Sequence, residues 1–246
     1  MAGASEPAVD AAYKELLLAG ESRPAIRTVL QGALEQPVLV ALLHRAVPVA
    51  FLEELAACPP WSERSEVLAG IVLHPRAPQG LALRLVGALH WRELAEVART
   101  MRVGAAVRVR AEGLLRECLP DLRLGDRITF ARLATQALLG QLLEDSDPLV
   151  VEAALENPRL REEDLVAALH RDQRSGALVN GVFASRWSGC YAVRLALALQ
   201  PRTPLPLALQ QISMLVPRDL QRVSREPGLH PLVRAAARAV LERADG

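Results

Sequence analysis

One corner motif occurs twice in the chain, and this repetition constrains the fold more than any other feature. HPRAP at 74–78 returns 126 residues later as QPRTP at 200–204. A proline disfavours the α conformation in the residue before it, so a helix is expected to end just before each motif. A second proline fits the first turn of a new helix. Each motif therefore predicts a tight corner between two helices, with Thr203 as the N-cap of a helix that begins at Pro204.

The repetition extends well beyond the corner. Residues 74–118 align with 200–244 at the same offset without a gap, and upstream Trp61 falls on Trp187. The identical pairs include Pro75/Pro201, Arg76/Arg202, Leu81/Leu207, Leu89/Leu215, Arg92/Arg218, Leu94/Leu220, Val97/Val223, Arg99/Arg225, Val107/Val233, Ala111/Ala237 and Leu115/Leu241. Self-similarity at a fixed offset is the signature of stacked repeat units. We therefore predict an internal duplication.

The predicted organisation is one continuous solenoid with four parts. Residues 1–26 form an N-terminal cap helix region, and 27–118 form the first repeat half. Residues 119–147 are a connecting helix segment, and 148–246 form the second repeat half. A helical hairpin cannot bury its apolar stripe alone, whereas a stack of hairpins can.

Helical periodicity of the apolar residues covers most of the chain. The predicted helices are 6–19, 24–35, 38–45, 48–57, 61–73, 78–89, 91–100, 104–118, 127–142, 148–156, 161–171, 174–184, 187–199, 204–215, 217–225 and 230–244. Asp147 is expected to cap the helix that begins at Pro148. Hydrophobic residues make up 51% of the chain but aromatic residues only 3%, so its core is built from Leu, Ala and Val. The fold class predicted is all-α, an α-solenoid of stacked helical hairpins.

Two segments carry a family resemblance. DSDPLVVEAALENPRLREEDLVAAL (145–169) and LALALQPRTPLPLAL (195–209) resemble the HEAT-like, armadillo-like and leucine-rich-repeat-variant α-helical repeats of bacteria. The layout that begins with GDRITFARLA (125–134) is also similar to bacterial proteins to which no activity is assigned. The resemblance covers most of 27–246 and implies a HEAT-like superhelix with protein-binding surfaces. A few proteins with HEAT-like repeats bind DNA instead. Some leucine-rich-repeat-variant proteins carry an iron–sulfur cluster on N-terminal cysteines, but no cysteine precedes Cys58 here, so no cluster is expected.

The sequence offers no recognisable catalytic, cofactor or metal motif. It contains no G-x-S-x-G, no G-x-x-x-x-G-K-[ST] and no G-x-G-x-x-G. No two of the five histidines have i,i+4 spacing, and there is no H-E-x-x-H and no C-x-x-C. We therefore expect no enzyme activity, no cofactor and no metal. The three cysteines are Cys58, Cys118 and Cys190, and we expect Cys58 and Cys118 to be buried thiols.

The net charge of +1 gives no global attraction to nucleic acid or to anionic membranes. No apolar run approaches the roughly 18 residues of a membrane span, and no basic and apolar leader opens the sequence. Together with the scattered cysteines, this predicts a cytoplasmic protein without membrane contact. Two structural roles are expected in the halves. Arg76 and Arg202 should bond the last carbonyls of the preceding helix, and Trp61 and Trp187 should wedge the same helix packing.

The function predicted is a helical-repeat scaffold or adaptor that binds another protein on its concave face. The candidate binding residues are Arg92, Arg99, Arg218 and Arg225, because they recur at equivalent places in the two halves. The alternative is a nucleic-acid-binding α-solenoid with an arginine-lined groove. Arginine clusters in the middle and at the end of the chain support that alternative, although glutamates interleave the first cluster. The identity of the partner and the oligomeric state do not follow from the sequence.

Overall fold

The computed structural model describes residues 5–32, 34–171 and 176–244, and this part of the chain is all-helical. Within it lie seventeen α-helices and four short 3₁₀ turns, and no strand. The predicted all-α class is confirmed. Residue 33 of the predicted helix 24–35 and residues 174–175 of the predicted helix 174–184 lie outside the described residues. None of the described helices combines the length and apolarity that crossing a bilayer requires.

The chain divides into two compact units, Met1–Leu122 and Arg123–Gly246. The first unit contains α1 (Glu6–Ala19), α2 (Arg23–Gln31), α3 (Gln36–Leu42), α4 (Val49–Ala57), α5 (Ser65–Leu73), α6 (Gln79–Leu85), α7 (Trp91–Arg99) and α8 (Ala105–Cys118). Short 3₁₀ turns lie at Trp61–Glu63, Val86–Ala88 and Leu119–Asp121.

The second unit contains nine α-helices among its described residues. They are α9 (Leu124–Leu133), α10 (Gln136–Leu143), α11 (Pro148–Leu155), α12 (Glu162–Arg171), α13 (Gly176–Ala184), α14 (Tyr191–Leu199), α15 (Leu205–Ile212), α16 (Pro217–Arg225) and α17 (Pro231–Ala244). A 3₁₀ turn at Arg186–Gly189 precedes α14.

Within each unit, a helix packs mainly on the next helix and on the next but one. In the first unit, α1 packs on α3, α3 on α5 and α5 on α7, while α2 packs on α4 and α6 on α8. In the second unit, α10 packs on α12, α12 on α14 and α14 on α16, while α9 packs on α11, α11 on α13 and α15 on α17. One series of next-but-one contacts therefore ends at α7 in the first unit, and another ends at α16 in the second unit.

The core of each unit is aliphatic, as its low aromatic content requires. At the end of the second unit, one cluster of buried side chains joins α14 to α17 and consists of Ala198, Ala208, Ile212, Leu215, Leu220, Val223, Leu229, Val233 and Ala237. Burying one Leu or Val side chain stabilises a fold by roughly 1.5–3 kcal/mol. The apolar face of α16 therefore holds this helix against its neighbours and leaves the opposite face to solvent.

Three helix pairs have bounds that follow the offset of 126 residues. The helices α5 and α14 begin at 65 and 191 and end at 73 and 199. The helices α7 and α16, and likewise α8 and α17, have the same relation at both ends. The shared sequence pattern therefore produces helices of equal length at equivalent positions.

The predicted helix 127–142 is wrong, because the structure has two helices there. Helix α9 ends at Leu133, Ala134 is extended, and α10 begins at Gln136. A residue outside this segment, Asn157, stabilises the break between the two helices. Asn157 Nδ2 donates to the carbonyls of Ala131 at 2.7 Å and Ala134 at 3.2 Å, and both carbonyls would otherwise be buried without a partner.

The helix starts after the two corner motifs also differ from prediction. Pro78 and Pro204 are the extended N-cap residues, and the helices begin one residue later, at Gln79 and Leu205. Thr203 does not cap that helix. It is buried, and its Oγ1 donates to the carbonyl of Leu197 at 2.7 Å, so its hydroxyl secures the preceding helix instead.

Three predicted helices are shorter because 3₁₀ turns replace a part of each. The predicted 61–73 and 187–199 begin with 3₁₀ turns, and extended residues Arg64 and Cys190 separate these turns from α5 and α14. The predicted 78–89 ends as an α-helix at Leu85 and continues as a 3₁₀ turn around Gly87. A glycine weakens the helix interior because it loses more backbone entropy than other residues.

Candidate functional site

Hydrogen bonds from the side chains of His74 and Arg76 hold the corner that follows α5. His74 is buried, and its Nδ1 accepts the backbone N–H of Arg76 at 3.1 Å. Its Nε2 therefore carries the proton and donates to the carbonyl of Arg45 at 2.9 Å. The Arg76 guanidinium donates to the carbonyl of Val47 at 3.0 Å. The corner thereby ties α5 to the segment that joins α3 to α4.

The predicted role of Arg76 is wrong. It does not bond the end of the preceding helix, because the corner's own backbone already serves that end. The carbonyl of Ile71 accepts the N–H of His74 at 3.2 Å, and the carbonyl of His74 accepts the N–H of Ala77 at 3.0 Å. Arg202, at the equivalent place, is exposed, and its backbone N–H is 3.5 Å from Gln200 Oε1.

Two further corners repeat the arrangement with different side chains. Asn157 Oδ1 accepts the N–H of Arg159 at 2.8 Å, while Nδ2 donates to the carbonyl of Ala131. Gln200 is buried and donates through Nε2 to the carbonyl of Leu169. In all three corners, the residue before proline supplies one donor and one acceptor. In these three corners, the x-Pro-Arg motif therefore has a structural role.

Polar contacts between successive hairpins have a nearly constant separation along the sequence. Glu21 accepts the N–H of Ala50 at 2.9 Å, and Gln36 donates to Glu66 at 2.7 Å. In the second unit, Gln136 Nε2 donates to Asp164 Oδ2 at 3.0 Å. Three of these contacts and two of the corner contacts join residues separated by 26 to 31 positions, and Asn157 also bonds Ala134, which is 23 positions away. A recurring separation of this size is expected of stacked hairpins.

Helix α7 exposes the first pair of candidate binding residues. Arg92 and Arg99 are exposed, whereas Leu94, Ala95, Val97 and Ala98 are buried. The Arg92 guanidinium lies 5.1 Å from the ring centroid of Trp91. Glu96 is also exposed and lies between the two arginines on the same helix face, since i, i+4 and i+7 are neighbours. The exposed face of α7 is therefore of mixed charge.

Helix α16 exposes the second pair. Arg218 and Arg225 are exposed, whereas Leu220 and Val223 are buried. Arg222 lies between the two arginines on the same face and is also exposed. The structure thus places each pair on one face of one helix, with α7 in the first unit and α16 in the second. Selection by repeat equivalence alone missed Arg222, since its counterpart is Glu96.

Tyr191 forms a contact between α14 and α16 that the sequence did not predict. Its hydroxyl donates to Asp219 Oδ2 at 2.6 Å and accepts the N–H of Val216 at 3.1 Å. Desolvation of the hydroxyl and the hydrogen bond to Asp219 raise the pKa of Tyr191 above its ordinary value. No local motif signals this pair, because the two residues are 28 positions apart. The contact fixes the start of α16 against α14.

A buried glutamate of α4 forms ion pairs with two arginines of α2 in the first unit. Arg27 Nε is 2.5 Å from Glu54 Oε2, and Arg23 Nη1 is 3.8 Å from Glu54 Oε1. Glu54 is buried, so its charge requires these partners. The hydrogen bond from Arg27 lowers the pKa of Glu54 below its ordinary range. This pair joins α2 to α4 and has a structural role.

The two repeat-equivalent tryptophans differ in burial and in the hydrogen bonds of their indole groups. Trp187 is buried, and its Nε1 donates to the carbonyl of Leu155 at 2.9 Å. Trp61 is only half-buried, and its indole N–H makes no hydrogen bond with the described residues. The turn that carries Trp61 packs on α4 and α5, and the turn that carries Trp187 packs on α13 and α14, so both pack on the helices that precede and follow them. The hydrogen bond to Leu155 is specific to Trp187.

The described residues contain no group of three or more His, Cys, Asp or Glu side chains placed to hold a metal ion. Cys58, Cys118 and Cys190 are free thiols. They are half-buried, so the expectation that Cys58 and Cys118 are buried is wrong. Both lie at or just after helix ends, where packing is incomplete, and partial burial raises the pKa of the Cys118 thiol.

A cavity of about 620 Å³ lies between α11 and α13 in the second unit. Small residues Ala177, Gly181 and Ala184 line one wall, and Glu152 and Glu156 line the other. A side chain at Gly181 would place its Cβ 3.1 Å from the Leu155 side chain, so the glycine allows this close approach.

Protein-family models, curated proteins and solved structures were each compared with the chain, and none of the three comparisons finds a match.

Proposed function

We propose that each unit is a short α-solenoid of HEAT-like hairpins and that the chain arose by internal duplication. The packing within each unit supports the solenoid, since the helices pack mainly on the next helix or on the next but one. The polar contacts at intervals of 26 to 31 residues support stacked repeats. The equal bounds of three helix pairs support the duplication.

We propose further that the protein is an interaction scaffold that binds another protein on the concave side of its repeats. The observation that carries this proposal is the exposure of arginines at equivalent positions on α7 and α16. Arg92, Arg99, Arg218 and Arg225 are exposed residues, and the opposite faces of their helices are buried. Arginine suits interfaces because its planar group binds carboxylates in a bidentate manner. A cytoplasmic location remains a prediction from the scattered cysteines.

The test is affinity capture from native lysate, with and without nuclease, read by mass spectrometry. The binding variant combines Arg92→Glu with Arg218→Glu. The control combines Arg84→Glu with Arg238→Glu, which changes the net charge equally at exposed positions of α6 and α17. We expect a discrete set of proteins that survives nuclease, persists in the control and is lost in the binding variant. Capture that is identical in both variants would refute the proposed face.

Nucleic-acid binding is the second candidate, and the last two helices favour it. Arg218, Arg222, Arg225, Arg238 and Arg243 are all exposed on α16 and α17. Neutralising phosphates would make the affinity fall steeply with salt. In the same experiment, recovery of nucleic acid and its binding proteins that nuclease abolishes would favour this candidate over the protein scaffold.

A further inference from the structure

Helix α16 carries a row of three guanidinium groups that no group of the described residues neutralises. Arg218, Arg222 and Arg225 have i, i+4, i+7 spacing, so they lie on one face over about 10 Å of helix. All three are exposed, and none forms an ion pair or hydrogen bond within the described part of the chain. Two acids adjoin the row in sequence: Asp219 is engaged by Tyr191, and Glu226, which follows Arg225, forms no ion pair within the described part of the chain. Like charges at this spacing repel each other, and an anionic partner would relieve that repulsion.

Exposed apolar side chains flank the start of this row. Met214 is 58% exposed, Val216 is 48% exposed, and Tyr191 is 40% exposed. They form one patch, because the Tyr191 hydroxyl bonds the Val216 N–H and Met214 is two residues away in the chain. Met214 also borders a cavity of about 350 Å³ that Phe183 and Leu207 line. A methionine at such a cavity adapts its flexible side chain to an incoming apolar group.

The equivalent helix in the first unit lacks both features. At the offset of 126 residues, Glu96 stands where α16 has Arg222. Ala88 and His90 stand where the second unit has Met214 and Val216. The row and its apolar flank are therefore specific to the second unit and do not follow from the repeat. This difference marks α16 as the more specialised of the two arginine-bearing helices.

We propose that Arg218, Arg222 and Arg225, together with Tyr191, Met214 and Val216, form a docking surface for an acidic amphipathic helix of a partner protein. Carboxylates spaced over two turns of that helix match the arginine row. One large apolar side chain of the same helix packs on the patch beside Met214. A phosphate backbone would use the row but gain nothing from the apolar flank. The proposal rests on the proposed scaffold function and assigns its contact to one helix and one class of partner.

The test is fluorescence anisotropy with the full chain and a labelled synthetic helical peptide. The peptide carries glutamates at i, i+4 and i+7 and a leucine one turn before them. A matched peptide has glutamine at the three glutamate positions, and a labelled DNA duplex forms a third arm. Arg222→Glu recreates the charge pattern of α7, and Arg84→Glu on α6 is the control with equal net charge. Met214→Ala tests the apolar patch, and circular dichroism verifies that each variant is folded.

We expect the glutamate peptide to bind and the glutamine peptide to bind at least about tenfold more weakly. Arg222→Glu should weaken binding by about tenfold or more, while Arg84→Glu leaves it within about twofold. Met214→Ala should weaken it by a smaller factor. If Arg222→Glu is unfolded, Arg222→Gln replaces it, with a loss of about threefold expected.

Three outcomes would overturn the inference: no binding of the glutamate peptide, equal binding to wild type and Arg222→Glu, or tighter binding to the duplex than to the peptide. The capture experiment separates this failure from failure of the scaffold function. Protein partners retained by Arg222→Glu would leave the scaffold intact and refute the α16 surface. A wild-type chain that captures no protein would refute both.

Discussion

Asn157 and Ala131 are joined by a hydrogen bond of 2.7 Å that fixes the break between α9 and α10. The side chain of Asn157 is buried and comes from the corner between α11 and α12. It also bonds the carbonyl of Ala134 and accepts the N–H of Arg159. One amide therefore satisfies three backbone groups on two separate segments. His74 and Gln200 make the equivalent hydrogen bonds in the corners at 74–78 and 200–204.

Asn157→Ala is expected to destabilise the second unit by about 1–3 kcal/mol, because it leaves buried backbone groups without partners. The free energy of unfolding in urea, followed by circular dichroism, measures the loss. Asn180→Ala is the matched control, since Asn180 is exposed. That control should change stability by less than about 0.5 kcal/mol. Equal effects of the two substitutions would show that the corner amide does not hold the break.

His74 is expected to tolerate glutamine but not alanine. Gln200 performs the same two tasks at the equivalent corner, so His74→Gln retains a donor for Arg45 and an acceptor for Arg76. We expect His74→Gln to cost less than about 1 kcal/mol and His74→Ala about 1–3 kcal/mol in the free energy of unfolding. Urea denaturation of the two variants makes the comparison. A glutamine variant as unstable as the alanine variant would contradict the shared role.

The ion pair between Arg27 and Glu54 predicts a dependence of stability on pH in the acidic range. Because the folded-state pKa of Glu54 is lowered, its contribution is present above the unfolded pKa and is lost as pH falls through the folded pKa. Wild type should therefore be more stable than Arg27→Met at neutral pH. The difference in melting temperature should shrink as pH falls below the ordinary Glu value of 4.5.

Thermal melts at a series of pH values from neutral to strongly acidic measure that difference. Arg102→Met is the control, because Arg102 is exposed and makes no ion pair with the described residues. Its melting temperature should follow wild type at every pH. A constant difference between wild type and Arg27→Met down to strongly acidic pH would show that the Glu54 charge does not carry the contribution.

Local signals predicted much of the helix layout. Helix 217–225 agrees at both ends, because Pro217 fixes its first turn and Leu220 and Val223 give it an apolar face. Asp147 caps α11 as expected, with its side chain accepting the N–H of Leu149 at 2.9 Å. In both cases, residues within one or two turns determine the local structure.

The predictions of local structure were wrong where residues distant in the sequence determine that structure. The local signal for the break between α9 and α10 is weak, since only Thr135 at the N-cap of α10 marks it, and the amide that bonds the carbonyls of the break is that of Asn157. The contact of Arg76 with Val47 joins residues 29 positions apart, and no local pattern reports it. The candidate binding residues likewise depend in part on the packing of the helix. Repeat equivalence selected Arg218 and Arg225, whereas the contribution of Arg222 depends on which face of α16 is buried.

Substitution of Trp187 by Phe is expected to reduce stability more than the same substitution at the equivalent Trp61, which serves as the control. Trp187→Phe removes the indole N–H and leaves the carbonyl of Leu155 without that donor in a buried place. We expect it to lower the free energy of unfolding by about 1–3 kcal/mol. Trp61→Phe, at the equivalent position, removes no hydrogen bond with the described residues and should cost less than about 1 kcal/mol. Urea unfolding measures both, and equal losses would mean that ring size rather than the hydrogen bond sets the contribution of these tryptophans.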